Sequence, residues 1–247
     1  MVCLLGLGDL GLIALIVAIA ACAQMVSGFG FALMAVPMMG LAVDLKTAVV
    51  VSTICGTGSN TFQAIKDGRS RDDRLVRLLV AASFLGMPFG IVVLDRVELD
   101  ALRVAIGIFV LLALVSVMKE HGPSSAGGRP LEFVAGFVSG VLATSTSTNG
   151  PPLVLLLRSR GLAPEVFRAT VNTVFSIVSI TSIATFAVAG KITATTLVAT
   201  VVALPGLACG MYAGARLRGA LSPEAFWRLV ALLLAATAVS SILTGLL

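Results

Sequence analysis

The chain has 247 residues, of which 58 % are hydrophobic and 12 % charged, and its mean hydropathy is +1.07. About a quarter of the residues in a soluble domain are charged, so this composition excludes a soluble enzyme, a nucleic-acid-binding domain and a disordered protein. Because a bilayer-spanning helix needs about 20 apolar residues, the chain has room for about eight such segments. It is therefore predicted to be an all-α polytopic membrane protein, whose net charge of +5 reflects basic residues in the loops.

Charged loops and turn residues divide the chain into eight apolar segments, four on each side of a linker. The segments of the first half are predicted over about 10–43, 47–65, 78–94 and 104–118. Those of the second half are predicted over about 133–157, 169–190, 192–215 and 226–247. The stretch from Lys119 to Pro130 is rich in Gly, Pro and Ser and is interpreted as a linker. We therefore divide the molecule into an N-terminal half (1–121), a linker (122–130) and a C-terminal half (131–247).

The two halves are predicted to be a structural repeat. The pair Gly86 and Gly90 recurs as Gly206 and Gly210, 120 residues later. Such GxxxG pairs let membrane helices pack closely. Both halves also open with a segment that glycine and proline interrupt, which strengthens the correspondence.

The distribution of Lys and Arg indicates that the two interrupted segments are re-entrant hairpins. If all eight segments cross the membrane, the 17 basic residues divide almost evenly between the two sides. If segments 10–43 and 133–157 instead enter and leave on one face, thirteen fall on one side and four on the other. The positive-inside rule favours the second arrangement. It places both termini outside the cytoplasm, and the loops around Arg71 and Ser125 inside.

Each half then crosses the membrane three times, so the two halves have opposite orientations. One hairpin enters from outside and the other from the cytoplasm, and their tips are expected to meet near the middle of the membrane. Inverted repeats with interrupted helices at this depth are typical of secondary transporters.

The membrane segments lack the groups that catalysis would need. No Asp, Glu, Lys, Arg or His lies in the central third of any segment, and the single histidine, His121, lies in the linker. An intramembrane hydrolase needs a base beside its nucleophile and a proton relay needs buried carboxylates, so neither is supported. The four cysteines form no CxxC pair. We expect no enzyme activity, no metal site and no cofactor.

The interrupted segments carry uncharged hydrogen-bonding groups. The tip from Thr144 to Gly150 supplies five hydroxyls and an amide, and the prolines after it suit the start of a helix. In the first half, Gly28 and Gly30 allow a close approach of the backbone. Two helix N-termini that face each other would suit a small oxyanion. The alternative is that these polar groups only satisfy the interrupted backbone.

Polar side chains also follow one face of the helix after each hairpin, with the same spacing in both halves. These residues are Thr53, Thr57 and Asn60 in the first half and Asn172, Ser176 and Ser179 in the second. Hydroxyls in membrane helices commonly join helices, whereas buried asparagines are costlier and are candidates for lining a path. Arg168 is expected at the cytoplasmic mouth, either as an anchor or as a group that attracts anions.

These motifs resemble the TauE/SafE sulfite-exporter family, also called TSUP. The similarity rests on residues 27–33 leading to Pro37, on residues 136–140 leading to residues 149–152, and on residues 167–170. It spans nearly the whole chain. The resemblance implies duplicated four-segment halves and transport of sulfur compounds such as sulfite, sulfoacetate, other organosulfonates or thiosulfate. The second tip is richer in Ser and Thr than the Gly-rich family pattern.

We therefore expect a secondary transporter of a small anion, a sulfur oxyanion or an organosulfonate, that works by alternating access in the inner (plasma) membrane as a multi-pass protein. An anion-selective channel is the alternative, and a membrane scaffold without transport is disfavoured by the polar interrupted segments. The expected partners are the anion and the lipid bilayer, without nucleic acid and with a homo-oligomer left open. The candidate substrate-binding residues are Ser27, Gly28, Phe29, Gly30, Thr57, Asn60, Thr146, Thr148, Asn149, Gly150, Arg168 and Asn172.

Overall fold

The computed structural model of the chain describes residues 7–40, 42–96 and 128–218, together with scattered positions between 222 and 239. Within these ranges the chain is helical and contains no strand. The helices are α1 (Leu7–Ser27), α2 (Phe31–Met39), α3 (Leu45–Asp67), α4 (Asp73–Arg96), α5 (Arg129–Ser145), α6 (Gly150–Ser159), α7 (Pro164–Val188) and α8 (Ala194–Arg218). The segments predicted over 104–118 and 226–247 fall outside the three continuous ranges.

Four of the described helices are long and apolar enough to cross a membrane, which confirms an all-helical membrane protein. These stretches are Leu10–Ser27 in α1 and the whole of α4, α7 and α8. Helix α3 has 23 residues, but its many polar side chains lower its mean hydropathy. Those that lie buried are Thr47, Ser52, Thr53, Ser59, Asn60 and Gln63. Because lipid would not solvate these groups, α3 belongs inside the bundle.

Both segments predicted to be interrupted are interrupted. The first break (residues 28–30) separates α1 from α2, and the second break (residues 146–149) separates α5 from α6. The backbone takes a positive φ at Gly28 (+86°), Gly30 (+97°) and Ser147 (+60°). Glycine adopts such angles without steric cost, and Ser147 is the one other residue type that does so among the described residues. The arms of the first segment are unequal, since α1 has 21 residues and α2 has nine.

Glycines allow the backbones of α4 and α5 to touch. A Cβ atom on Gly86 would lie 2.1 Å from the Phe137 carbonyl oxygen, and one on Gly140 would lie 2.0 Å from that of Ser83. Gly136 faces Leu79 one turn earlier in both helices. The two helices therefore run in the same direction, and the close helix packing expected of the GxxxG pair is confirmed for α4.

The same arrangement joins α1 and α8. A Cβ atom on Gly206 would lie 2.1 Å from the Ala14 carbonyl oxygen, and one on Gly210 would lie 2.1 Å from that of Ala18. Both contacts advance by four residues in each helix, so α1 and α8 are also parallel. The second predicted GxxxG pair thus also packs two helices closely.

Ion pairs gather several helix ends at one end of the bundle. The buried Glu132 near the start of α5 contacts Arg74 near the start of α4, at 3.2 Å, and Arg160 after α6, at 2.5 Å. Arg218 at the end of α8 contacts Asp67 at the end of α3, at 2.6 Å. We call this the basic end, because its loops carry most of the arginines predicted to be cytoplasmic.

The other end of α4 is joined to the start of α8. Lys191 lies 2.5 Å from Asp95, which stands one residue before the end of α4. Since α4 begins at the basic end, this ion pair marks the opposite end of the bundle. The loops at 95 and 190–193, which the charge distribution assigns to one side, therefore lie together.

Replacing Gly140 by alanine is expected to destabilise the protein, because the added methyl group would overlap the Ser83 carbonyl oxygen. Overpacking of this kind costs about 1–3 kcal/mol, which would lower the midpoint of thermal unfolding in detergent. Gly11→Ala in α1 is the matched control, since nothing lies within 4 Å of its added Cβ, and its midpoint should not fall. Equal midpoints for the two variants would contradict close packing of α4 on α5.

Candidate functional site

The two breaks meet at a central cavity of about 30 Å³, between α3 and α7. Its wall is made of Gln24 from α1, residues 30–33 at the first break and residues 147–150 at the second. Helices α3 and α7 supply the remaining groups, among them Asn60 and Ser179. Every described residue that borders this cavity is uncharged, and most are polar or glycine.

The N-terminus of α2 borders the cavity and has no side-chain cap. Gly30 is the N-cap, and it forms no side-chain hydrogen bond to the helix because it has no side chain. The first N–H groups of a helix have no partner within the helix, and the helix dipole places partial positive charge there. Phe31, Ala32 and Leu33 bring these N–H groups to the cavity wall, where they can bind an anion.

The N-terminus of α6 borders the same cavity from the opposite break. Its N-cap, Asn149, also makes no side-chain hydrogen bond to the helix. Pro151 and Pro152 have no N–H group, so fewer donors are present here than at α2. Asn149 itself borders the cavity, and its backbone carbonyl accepts a hydrogen bond from Ser139 Oγ at 3.0 Å.

Five of the residues predicted to bind substrate border the central cavity. They are Gly30, Asn60, Thr148, Asn149 and Gly150. Asn60 accepts a hydrogen bond from the Gln24 side-chain amide through its Oδ1 atom. Thr148 shares a hydrogen bond of 2.7 Å with the hydroxyl of Thr146.

Four further predicted residues lie outside the cavity and make local contacts. The Ser27 hydroxyl lies 2.8 Å from the Ala23 carbonyl oxygen and 2.6 Å from that of Phe29, so it satisfies the interrupted backbone. The hydroxyls of Thr57 and Thr146 donate to carbonyls of their own helices. The buried Phe29 ring packs edge-on against Phe167, with ring centres 6.4 Å apart.

The last three predicted residues form a second cluster beside the first break. A Cβ atom on Gly28 would lie 2.8 Å from Arg168 Cγ and 3.3 Å from Asn172 Nδ2. The buried Asn172 amide donates to the Arg168 carbonyl at 2.8 Å. The structure therefore brings these three together, with Arg168 packed under the first break rather than on the cavity wall.

Each break contacts the polar helix of the other half. The first break lies against Asn172 of α7, and Ser147 in the second break shares a hydrogen bond of 2.9 Å with Thr53 of α3. Helices α3 and α7 are themselves joined by the hydroxyls of Thr61 and Ser176, 2.7 Å apart. The polar faces predicted for these two helices therefore meet each other and both breaks.

A second and larger cavity of about 580 Å³ lies toward the basic end, where α3 ends and α4 begins. We call it the outer cavity. Thr61 and Ser176 border it on the inner side, and Arg69 and Arg71 border it on the outer side. Arg71 forms an exposed ion pair with Asp73, at 2.6 Å. Thr61 follows Asn60 on α3, and Ser176 lies one turn before Ser179 on α7. Because Asn60 and Ser179 border the central cavity, the Thr61–Ser176 hydrogen bond lies between the two cavities.

Among the polar residues of the cavity wall, sequence reasoning missed Gln24 and Ser52, and it also missed the apolar or glycine positions 31–33, 56 and 175. Gln24 is the one amide in the apolar stretch 10–26, and a lone amide in a membrane segment is a signal for a buried functional or packing role. Ser52 lies beside Thr53 but off the face on which the predicted stripe runs. Its position in the cavity wall follows from how α3 is rotated, which spacing alone does not give.

The model of the family described as "Sulfite exporter TauE/SafE" matches residues 13–241. This range includes both breaks, α3, α7 and the central cavity. Neither a comparison with curated proteins nor one with solved structures found a match. The family is one of transporters and not a class of enzymes. With an all-helical fold, four helices able to span a membrane and a match over nearly its whole length, this chain belongs to the sulfite exporter TauE/SafE family.

Proposed function

We propose that this protein is a secondary transporter that moves a small sulfur oxyanion or organosulfonate across the inner membrane by alternating access. The observation that carries the proposal is the pair of helix N-termini, neither capped by a side chain, that border one cavity. Sulfite, sulfoacetate and thiosulfate are the candidate substrates. The family membership supports this choice of substrate class.

The polar groups of the cavity suit an anion of this kind. The N–H groups at the start of α2 and the amide of Asn149 are donors, and the residues of the wall include no Asp or Glu that would repel an anion. Neutral donors hold an oxyanion through several hydrogen bonds without a fixed countercharge. Arg168, under the first break, adds a positive charge near the path. These contacts favour Gly30, Asn149 and Gly150 as the first residues to bind substrate.

The size of the central cavity favours a carrier over the alternative, an anion-selective channel. A volume of 30 Å³ accommodates about two water molecules, which is less than an oxyanion with four or five heavy atoms requires. The helices must therefore separate before the anion can enter, as alternating access demands. A carrier should show saturable uptake and counterflow in proteoliposomes, whereas a channel would show conductance far above carrier turnover.

Helix directions support the proposal that the two halves are inverted repeats. Because α1 is parallel to α8, and α3 and α8 end together at the basic end, α1 and α3 both begin at the opposite end. The α1–α2 pair therefore returns the chain to the end from which it came, as a re-entrant hairpin does. The α5–α6 pair does the same from the basic end, where Glu132 and Arg160 touch.

Backbone geometry supports the same repeat. Gly28 and Ser147 lie 119 residues apart, and both have a positive φ in corresponding breaks. The pairing of helices is reciprocal as well, since the first helix of each half packs on the last described helix of the other. We propose the halves 1–121 and 131–247 as the two repeats.

The outer cavity offers a route from the basic end to the central cavity. Arg69 and Arg71, offset in part by Asp73 on the same wall, give its mouth a net positive charge that would attract anions. The Thr61–Ser176 hydrogen bond joins α3 to α7 between the two cavities. We place the inner gate of the alternating-access cycle at this pair, because separating α3 from α7 would connect the cavities.

The proposed topology is tested by cysteine labelling in intact cells, after the native cysteines have been replaced. Position 71 should react with a membrane-impermeant maleimide only after permeabilisation, because the basic end faces the cytoplasm. Position 194 is exposed at the start of α8, and a cysteine there should react with the maleimide in intact cells, without permeabilisation. Labelling of position 71 in intact cells would contradict the proposed orientation.

The proposed binding site is tested at Asn149. Asn149→Leu removes a neutral donor, which costs about 1–3 kcal/mol when a buried partner is left unpaired, so the affinity for thiosulfate or sulfite should fall about tenfold or more. Asn149→Asp should weaken it further, because a carboxylate repels the anion. Calorimetry on purified, monodisperse protein measures both affinities.

Thr181→Val is the matched control for this experiment. The Thr181 hydroxyl donates to the Ile177 carbonyl within α7, at 3.0 Å, and Thr181 does not border the central cavity. The affinity of the Thr181→Val variant for thiosulfate or sulfite should equal that of the wild type. Unchanged affinity in both Asn149 variants would place the anion elsewhere and leave the polar tips with the role of satisfying the backbone.

A further inference from the structure

Two ion pairs stand at corresponding places at the two ends of the bundle. At the basic end Asp67, the last residue of α3, contacts Arg218, the last residue of α8, at 2.6 Å. At the opposite end Lys191, three residues after α7, contacts Asp95, one residue before the end of α4, at 2.5 Å. Each pair therefore joins the end of the polar helix of one half to the end of the last described helix of the other half.

The proposed repeat relates the two ion pairs to each other. Asp67 and Lys191 are 124 residues apart, and Asp95 and Arg218 are 123 residues apart. The ends of α3 and α7 differ by 121 residues, and those of α4 and α8 differ by 122. Each residue of one pair thus lies within three residues of the place that corresponds to a residue of the other. The charges are exchanged, because the acid follows α3 in one pair and belongs to α4 in the other.

The two pairs fasten the polar helices to the most closely packed parts of the bundle. Helix α8 touches α1 backbone to backbone, and α4 touches α5 in the same way, whereas α3 and α7 meet through the hydroxyls of Thr61 and Ser176. Asp67 follows Thr61 by six residues on α3, so its ion pair holds the end of α3 at which we place the inner gate. The other pair holds the end of α7 at the opposite face.

We propose that these ion pairs are the two latches of the transport cycle: Asp67–Arg218 closes the cytoplasmic side, Lys191–Asp95 closes the outer side, and one is released at a time. This inference rests on the proposed function, in which one part of the bundle rocks against another around a central site. Both pairs are formed in this structure, and the central cavity is too small for the anion. This combination is expected of a state that is closed at both ends.

The exposure of the side chains sets how strongly each latch acts. Asp67 and Arg218 are 18 % and 17 % exposed, whereas Asp95 and Lys191 are 42 % and 23 % exposed. Ion pairs that water reaches contribute little to stability, so each latch biases the populations of the states and does not lock the protein. The pair at the basic end is better shielded, and its loss should have the larger effect.

Substitutions that each remove one carboxylate charge test the latches. A single cysteine is placed at position 179, which borders the central cavity, in a protein without its native cysteines. Its rate of reaction with a membrane-impermeant methanethiosulfonate is measured from each side, in vesicles of both orientations. Asp67→Asn should raise the rate from the cytoplasmic side about two- to fivefold without raising it from the outside. Asp95→Asn should raise only the rate from the outside.

Asp73→Asn is the matched control for these variants. Asp73 lies at the basic end, and its ion pair with Arg71 joins two residues of one short segment. The substitution therefore removes the same charge near the cytoplasmic mouth without freeing the end of a helix, and it should leave both rates unchanged. A rise equal to that of Asp67→Asn would show that charge at the mouth sets the rate, which would overturn the assigned latch.

An exchange of the two charges separates a broken latch from a general loosening of the bundle. Asp67→Arg combined with Arg218→Asp should return the cytoplasmic rate to that of the parent, because it rebuilds the pair in the order that Lys191 and Asp95 already have. A double variant that stays as reactive as Asp67→Asn would contradict the latch. A rise on both sides in Asp67→Asn alone would also contradict it, and would indicate the continuous pore of a channel.

Thiosulfate binding, measured by calorimetry on the same proteins, distinguishes this inference from the proposed function. A wild-type protein that binds no sulfur anion, while its variants open on one side each, would overturn the proposed substrate class and leave the latches standing. A wild-type protein that binds thiosulfate, while neither Asp67→Asn nor Asp95→Asn opens one side, would overturn the latches and leave the proposed substrate class standing.

Discussion

A backbone that is interrupted inside a membrane must find partners for its N–H and C=O groups, and the centre of this protein is arranged around that requirement. Lipid supplies no hydrogen bonds, so irregular backbone survives at this depth only where protein buries it or a polar cavity serves it. The hydroxyl of Ser27 binds two carbonyls at the first break, and the hydroxyl of Ser139 donates to the Asn149 carbonyl at the second. Both breaks border the central cavity, whose described wall is polar but carries no charged residue.

The two breaks solve this requirement differently. Three successive residues at the start of α2 border the cavity, whereas prolines remove two of the corresponding N–H donors from α6. The second break compensates with side chains, because Thr148 and Asn149 supply a hydroxyl and an amide. The site is therefore built from backbone on one side and from side chains on the other. Substitutions at the second break should change binding in small steps, while the first break responds mainly to changes of glycine.

Much of this arrangement could be predicted from the sequence, because it depends on local chemistry. The positions of glycine and proline predicted both breaks. The positions of Gly86 and Gly206 predicted close helix contacts, which the structure confirms. The distribution of basic residues predicted that the loops at Asp67 and Arg218 lie on one side of the membrane, and an ion pair joins these two residues.

The site was less accessible to sequence reasoning. Gln24 and Ser52 were missed, and Thr57 points its hydroxyl at its own helix. Which face of α3 meets the cavity depends on its rotation and on the depth to which α1 reaches, and both are fixed by contacts between distant helices. Spacing along one helix does not contain that information.

The carboxylate of Glu132 ties three helices into one mechanical unit. This carboxylate is fully buried, and it is paired with Arg74 near the start of α4 and with Arg160 after α6. Pulling both arginines away would leave an unpaired negative charge inside the protein, a change that costs about 3–5 kcal/mol. Helices α4, α5 and α6 therefore move together or not at all at this end. The first hairpin packs on α8 through glycine contacts, and within the described residues no ion pair joins it to that helix.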